Sequence, residues 1–438
     1  MSIVSPEIIK GEVLAKPHKV IKQTLETDIL IIGGGTAGVI AAIQAGRAGC
    51  RTTLVENGSM LGGTTTVGGV NYPGIFFAWG KQVIGGIGWE LVQEAVALND
   101  DELPNFSIPH GRQHWHHQVR LNSPLYSLVA EEKCLEAGVN LRFYETPTQV
   151  TFKNNKWTVT TVGKGTNNEI VCNQLIDCTG NAYTTSLAGF DVLREEETQP
   201  GTLMFAIGGY DYKSLDMYMV KAEFSKAVER GDLIKGEFYN IDALLRNAGD
   251  NVQHVEGADS TTSETHTVAN IKGRSSLLNT VRFLRTLPGL EKLRILDMQN
   301  ETAVRETYRI DGEYRITQDD YVTGRVFEDA ISYSYYPIDL HDKEGVVPKQ
   351  LQEGTVPTIT IRALVPKRSK NFIVAGRCIS SDRLANSALR VQASCMGMGQ
   401  AAAAAAVLAF KQNKTPLEVS VKDIRNLLEE HGGIVPYS

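Results

Sequence analysis

Apolar positions come in short blocks with two different periods along this chain. DILII (28–32) is an unbroken apolar run of strand length, GGGTAG interrupts it, VIAAIQA (39–45) carries apolar residues at helical spacing, and TTLVE (52–56) is a second run ending in an acid. The pattern predicts a strand, a tight turn, a helix and a parallel strand. A further helix is predicted around Trp89 to Leu98. Ser123 and Pro124 open the next one, with Leu125, Leu128, Val129 and Leu135 on one face and Gly138 closing it. VNLRFYE (139–145) predicts a short strand. Alternation over 148–172, broken at Asn154-Asn155 and at GKGTNN (163–168), predicts a three-stranded antiparallel meander. The chain then returns to the sheet as QLIDCTGNA (174–182).

From about 195 to 365 the character changes, with polar helices near 214–230 and 275–286 and aromatic-rich strands at 308–338. NFIVAG (371–376) is another buried-strand pattern, followed by a loop and a long helix through 410. The alanine tract Ala401–Ala406 belongs to that helix, because alanine is the best helix former and the tract leads into Val407, Leu408 and Phe410. Sheet-like strands ending in glycine therefore flank the middle region. The expected fold is α/β, a Rossmann-like three-layer domain with an inserted α+β domain. The expected division is an N-terminal extension (1–26), a discontinuous nucleotide-binding domain (27–194 and 366–412), a substrate or cap domain (195–365) and a C-terminal tail helix (413–438).

The glycine turn has mechanical content. In GGGTAG, Gly33 allows the tight turn, Gly35 removes a Cβ that would block a pyrophosphate, and Gly38 lets the helix pack close to the sheet. Thr36 and Ala37 begin a helix whose N–H groups and dipole suit phosphate. Glu56, 23 residues after Gly33, stands where a carboxylate can accept from ribose hydroxyls. Composition changes little. With 42% hydrophobic and 21% charged residues and a net charge of −6, the 438-residue chain lacks the basic balance of a nucleic-acid binder. Its six cysteines show no metal-ligand spacing and fit a reducing cytosol. No signal peptide and no membrane span are expected.

Taken together, GGGTAG with Glu56, LGGTTTVGG (61–69), LIDCTGNA, RETYRIDGEY (305–314), IRALVP (361–366), and AGRCISSD running into RVQASCMGMGQAAAAAA resemble the FAD-dependent oxidoreductase family, with its glutathione-reductase-like nucleotide domain. The resemblance covers roughly 27–412 and extends distantly to fumarate reductase flavoproteins. It implies an FAD site. Gly33, Gly34, Gly35, Thr36 and Ala37 would carry the pyrophosphate, with Gly38 counted among the cofactor-binding positions, and Glu56 with Asn57 would hold the adenosine ribose. Gly62, Gly63 and Thr64 would approach the ribityl chain and ring, Thr179 and Gly180 the ADP half, and Gly376 and Arg377 the ribityl and phosphates. Arg383 or Arg390 would reach a phosphate, and the helix beginning near Val391 would aim its positive end at the flavin. Gly62-Gly63 and Gly68-Gly69 lie closer together than the fumarate reductase pattern, without a histidine, so FAD is expected to be non-covalent. A thioether to Cys378 or Cys395 competes with the plainer reading of buried thiols.

For chemistry, a flavin leaves the protein to bind substrate and manage one proton. Arginine forks suit a carboxylate, and the candidates are Arg305, Arg309, Arg362, Arg377 and Arg390, with Arg362 and Arg305 foremost. Salt bridges to Glu301, Glu306 or Asp311 are the structural alternative. His341 is the expected proton carrier, with Asp339 to orient it and Tyr336 or Tyr308 as donors. The cluster HWHH (114–117) offers at most two ligands on one strand face, so no metal is expected. The expected function is hydride transfer between a small, anionic or polar organic substrate and flavin N5 in a cytoplasmic enzyme, which is allowed to be a homodimer. The alternatives are a flavin-bearing electron-transfer or scaffold subunit, and an enzyme like thiazole synthase that uses a dinucleotide without redox.

Overall fold

A computed structural model of the chain describes residues 19–437, except 109–112, 235, 239, 343–344 and 347. Strand β1 (Ile21–Ile32) leads through the glycine turn into helix α1 (Thr36–Arg47) and strand β2 (Thr52–Glu56). Helices α2 (Ile87–Leu98) and α3 (Ser123–Glu136) follow, then β3 (Asn140–Phe143) and the meander β4 (Glu145–Lys153), β5 (Lys156–Gly163) and β6 (Thr166–Asp177). The last sheet strand, β7 (Phe372–Val374), comes after the middle region, followed by helices α4 (Gln392–Gln412) and α5 (Val421–Glu430). Strands β3, β2, β1, β6 and β7 run parallel in that order, and β4 and β5 add antiparallel pairing on β6. The carboxyl ends of all five parallel strands share one edge, which is where open α/β sheets bind ligands.

The apolar runs are buried because both faces of this sheet are covered. On one side α1 and α4 pack so tightly that a Cβ at Gly399 would lie 2.2 Å from the Ala37 carbonyl oxygen. Every residue from Ala401 to Ala406 is fully buried. α4 is also long and apolar enough to cross a membrane, but 83% of its apolar stretch is buried inside the protein. The meander, with Trp157, Phe190 and Phe372 edge to face, covers the other side.

Several expectations need correction. β1 begins at Ile21, not at Asp28, because residues 21–27 extend the pairing with 166–172 of β6. On α3, Leu128 and Leu135 face solvent, whereas Tyr126, Ser127, Val129, Ala130 and Cys134 are buried. The buried face is thus built from small and aromatic residues that a leucine count passes over. The aromatic-rich stretch 308–338 holds only two short strands, Arg309–Ile310 and Ala330–Tyr333, separated by a short helix, Gln318–Val322.

Within 195–365 two packing environments exist. Leu203, Phe205, Phe238, Leu244, Leu277 and Leu293 form an apolar cluster of their own under a small sheet ordered 249–250, 205–208, 294–298. Ile316, Tyr321, Ile331, Ile338, Ile359 and Leu364 instead share the cluster that contains α1 and α4.

Candidate active site

The crest of the parallel sheet is made of backbone. Gly33, at φ +102°, could not carry a side chain, since its Cβ would lie 2.5 Å from the Cys178 carbonyl oxygen. Gly38 passes so close to Gly33 that a Cβ would sit 1.8 Å from the Gly33 oxygen. At Gly35, by contrast, a Cβ would stand in open space with Gly63 Cα at 4.0 Å. It is the N-cap of α1, which has no side-chain cap and no acid in its first turn. The first N–H groups of α1 are therefore free of side-chain partners at an open backbone cradle, which is the environment a diphosphate requires. Thr36, Ala37 and Gly38 are buried in that first turn.

Glu56 closes the cradle. Gly34 N–H donates to its Oε2 at 2.7 Å and Gly58 N–H to its Oε1 at 2.6 Å. Burial pushes this carboxyl up, opposed by those same N–H donors. Beside it, Asn57 is exposed. Gly62 and Gly63 both adopt positive φ, and a Cβ on Gly63 would meet Gly35 Cα at 2.9 Å, so the 62–65 turn leans on the glycine loop. Thr64 is half-buried, and its carbonyl accepts from Val70 N–H at 3.0 Å.

At the next loop, fully buried Asp177 accepts from the N–H and hydroxyl groups of both Thr179 and Thr185. This pins the turn that carries Gly180. Arg377, following Gly376 at the end of β7, donates through Nε to the Gly180 carbonyl at 2.5 Å and through Nη1 to the Val304 carbonyl. Burial lowers the Arg377 pKa, and its near partners are carbonyls and the Ser260 hydroxyl, with no carboxylate within salt-bridge reach among the described residues. Such an arginine retains charge for an anion. The start of α4 also closes on the crest: Gln392 accepts from the Thr65 hydroxyl and donates to the Val70 carbonyl at 2.7 Å, and Ala393 N–H donates to the Pro73 carbonyl at 2.7 Å. Part of the positive end expected to face a flavin is therefore spent on the 62–74 loop.

A second group of residues borders that loop. A Cβ at Gly74 would meet Val391 at 2.3 Å and the Tyr336 ring at 3.8 Å. Tyr336 accepts from Gln118 Nε2 at 2.9 Å, and burial pushes its hydroxyl up. Three residues on, Asp339 Oδ2 lies 3.2 Å from His341 Nε2 and 3.6 Å from Arg390 Nη2. His341 Nδ1 lies 3.1 Å from His254 Nε2, and His341 N–H donates to Gln199 Oε1 at 3.1 Å. Arg305 donates to the Pro200 carbonyl at 2.6 Å and its charge is felt by Tyr336, Asp339 and His341.

Burial opposes charge on Asp339, but the hydrogen bond and charge of His341 and the charges of Arg390 and Arg305 bring its carboxyl down to about 2. For His341, burial and then the Arg305 charge outweigh the attraction of Asp339 and bring it down to about 4. The pair at neutral pH is therefore carboxylate and neutral imidazole. With Asp339 accepting, His341 carries its proton on Nε2, leaving Nδ1 to accept from His254 Nε2–H.

Five residues singled out in sequence, Arg305, Tyr336, Asp339, His341 and Arg390, thus fall in one group. Arg390 was assigned to the cofactor, but its contacts are with Asp339 and Gln199. Sequence reasoning missed Gln199 and His254, which lie in stretches without any motif and are buried polar residues only the structure reveals. Arg362 belongs elsewhere. It forms a two-pronged ion pair with Asp329, Nε–Oδ2 2.8 Å, and lies over the Tyr314 ring. Both prongs of its fork are occupied, so the expectation that it clamps substrate fails. Arg383 and Arg309 similarly meet Glu306.

The HWHH segment is a single tight helical turn, His114–His117, not a strand, and His117 Nε2 lies 2.9 Å from the Ile108 carbonyl. No group of three histidines, cysteines or acids able to hold a metal occurs among the described residues. Burial pushes both Cys378 and Cys395 thiols up to about 12, so neither is prepared as a thiolate for a flavin linkage.

The family described as FAD dependent oxidoreductase matches residues 28–428. The chain belongs to this family. FAD is its cofactor, and the open Gly35 cradle, the uncapped α1 and the charge of Arg377 fit that molecule. Individual relatives are local: the oxidoreductase is 57% identical over 42 residues to a dihydrolipoyl dehydrogenase of Pseudomonas aeruginosa, covering 10% of this chain and 9% of that one. It is 44% identical over 55 residues to the sarcosine oxidase alpha subunit of Rhizobium meliloti, covering 13% and 6%. The chain thus spans less than a tenth of either relative. Among solved structures, it is similar to a geranylgeranyl bacteriochlorophyll reductase-like protein of Thermoplasma acidophilum, with TM-score 0.43 and 11% identity over 94% of this chain and 85% of that one. It is also similar to p-nitrophenol 4-monooxygenase of Pseudomonas putida, with TM-score 0.42 and 13% identity over 92% and 84%. Neither likeness bears on substrate.

Proposed function

We propose that this FAD dependent oxidoreductase transfers a hydride between its flavin and a small anionic organic substrate, read by the Arg305, Arg390, Gln199 and His341 group. The observation that supports this reading most is the meeting of two guanidinium groups and a neutral histidine beside the 62–74 loop. Bound FAD supplies the two-electron chemistry, so the residues need only orient the substrate and manage a proton. Arg305 and Arg390 attract and orient an anion. His341, kept neutral by those same charges, takes onto Nδ1 the Nε2 proton of His254 as that ring receives the proton of a hydroxyl or amine being oxidised, and Asp339 stabilises the imidazolium formed. His254 holds the ring through Nδ1. Tyr336 donates a hydrogen bond to a substrate oxygen and keeps its proton. Glu56, Gly33–Gly38, Gly62–Thr64, Thr179, Gly180, Gly376 and Arg377 would hold FAD, and the substrate unit is drawn from 195–365. The six buried, unpaired cysteines support a cytoplasmic enzyme.

The test is anaerobic bleaching of the flavin by carboxylic acids, hydroxy acids and amines. Bleaching by an anionic compound, weakened by Arg305→Ala without loss of FAD, is the expected result. Bleaching by neutral compounds alone would remove the anion from the proposal.

A further inference from the structure

The longest helix of the middle region, Ser263–Leu284, begins at a Thr262 capping box and buries Ala269, Gly273, Ser276, Leu277, Thr280 and Leu284 against its own unit. Its opposite face carries an apolar stripe to solvent: Val268 is 61% exposed, Ile271 58% and Leu278 44%. Together with Glu264, Ser275 and Arg282, also exposed, these positions alternate in steps of four and three residues. That spacing is the seam of a two-helix coiled coil, and nothing among the described residues covers it.

We propose that the chain forms a two-fold dimer by antiparallel packing of this helix on its copy. The charge order selects both partner and direction. With the two-fold axis level with position 273, Val268 meets Leu278 of the partner subunit, Ile271 meets Ser275 of the partner subunit, and Glu264 meets Arg282 of the partner subunit. Symmetry repeats each pair, so all the apolar residues of the stripe are covered and both ends are closed by opposite charges. A parallel arrangement would set Glu264 against Glu264 and leave the seam ends repulsive. Arg274 and Lys272, which flank the axis, are turned back onto their own chain: Arg274 donates to the Asn300 carbonyl, and Lys272 Nζ to the Glu256 carbonyl at 2.8 Å. The seam is therefore clear of like charges at its centre. A helix of 22 residues offers about 33 Å of contact, enough for three heptads.

Sedimentation of the FAD-loaded enzyme over a range of concentrations tests this. The expected mass shifts from one chain to two. Glu264→Arg or Arg282→Glu alone should weaken the dimer about tenfold, by opposing like charges across the seam, and the two together should restore it. Ile271→Asp should leave a monomer with unchanged FAD content and circular dichroism. A single-chain mass at all concentrations overturns the proposal, and sedimentation of that monomer with phospholipid vesicles, lost in Ile271→Asp, would assign the stripe to lipid instead. A dimer indifferent to all these substitutions also overturns it, since its interface must then lie elsewhere.

Discussion

The glycine crest and the His341 group are neighbours built on opposite principles. At the crest, ligand space exists because side chains are missing: Gly35 leaves a cradle open, and the charges nearby are the uncapped N–H groups of α1 and one buried arginine. In the His341 group, the space is defined by charged side chains that hold one another in place, Asp339 between His341 and Arg390. Losing one side chain there should damage chemistry without damaging cofactor binding. Adding one at the crest should do the reverse. On the proposed function, the difference separates a part of the enzyme that holds a cofactor common to many proteins from a part that would read its own substrate.

The largest effect that would sharpen this contrast comes from His341→Gln, which keeps a polar side chain but removes the base. Flavin reduction by substrate should slow by about 100- to 10,000-fold with FAD content unchanged, as measured in anaerobic stopped flow. Arg305→Ala should lower kcat/KM about 10- to 100-fold. Equal FAD loss in either variant would break the division between the two regions.

At the crest, Gly35→Ala should expel FAD from a protein that still melts cooperatively, since the added methyl meets only open space in the protein. Gly38→Ala should lose both FAD and stability, because its methyl would overlap the Gly33 carbonyl. If Gly35→Ala retains FAD at wild-type occupancy, the cradle lies elsewhere.

Acid should act on the charged group first. The folded-state pKa of His341, about 4, lies below that of an unfolded histidine, so between roughly pH 6.5 and 4 the unfolded chain binds more protons. Stability should therefore fall as pH falls through that window, by on the order of 2 kcal/mol from this residue, and His341→Gln should flatten that part of a denaturation-versus-pH series. Asp339, depressed as well, extends the loss to still lower pH, below its unfolded value and toward about 2. The smallest effect belongs to Arg362→Ala. Removing its part-exposed bridge to Asp329 should cost about 0.5–1 kcal/mol of stability and leave substrate reduction unchanged.

How much of this was legible in the sequence follows the same division. DILIIGGGTAG, LIDCTG and FIVAG place three strand ends on one edge because strand and turn propensities are local properties, and the alanine helix follows for the same reason. Even there, α3 shows its small and aromatic residues to the core rather than its leucines, since the neighbouring packing decides which face is buried. The His341 group depends on contacts between residues as far apart in sequence as Gln199 and Arg390. No periodicity records such a meeting. Arginines in motif-like stretches look alike until their partners are known, which is why Arg305 and Arg362 seemed equivalent and proved different.

The most direct test of the central claim is anaerobic flavin bleaching by an anionic substrate, compared between the wild type and His341→Gln at matched FAD content. The account predicts rapid bleaching in the first and a loss of about 100-fold or more in the second, with identical flavin occupancy. Equal rates in the two proteins would contradict it.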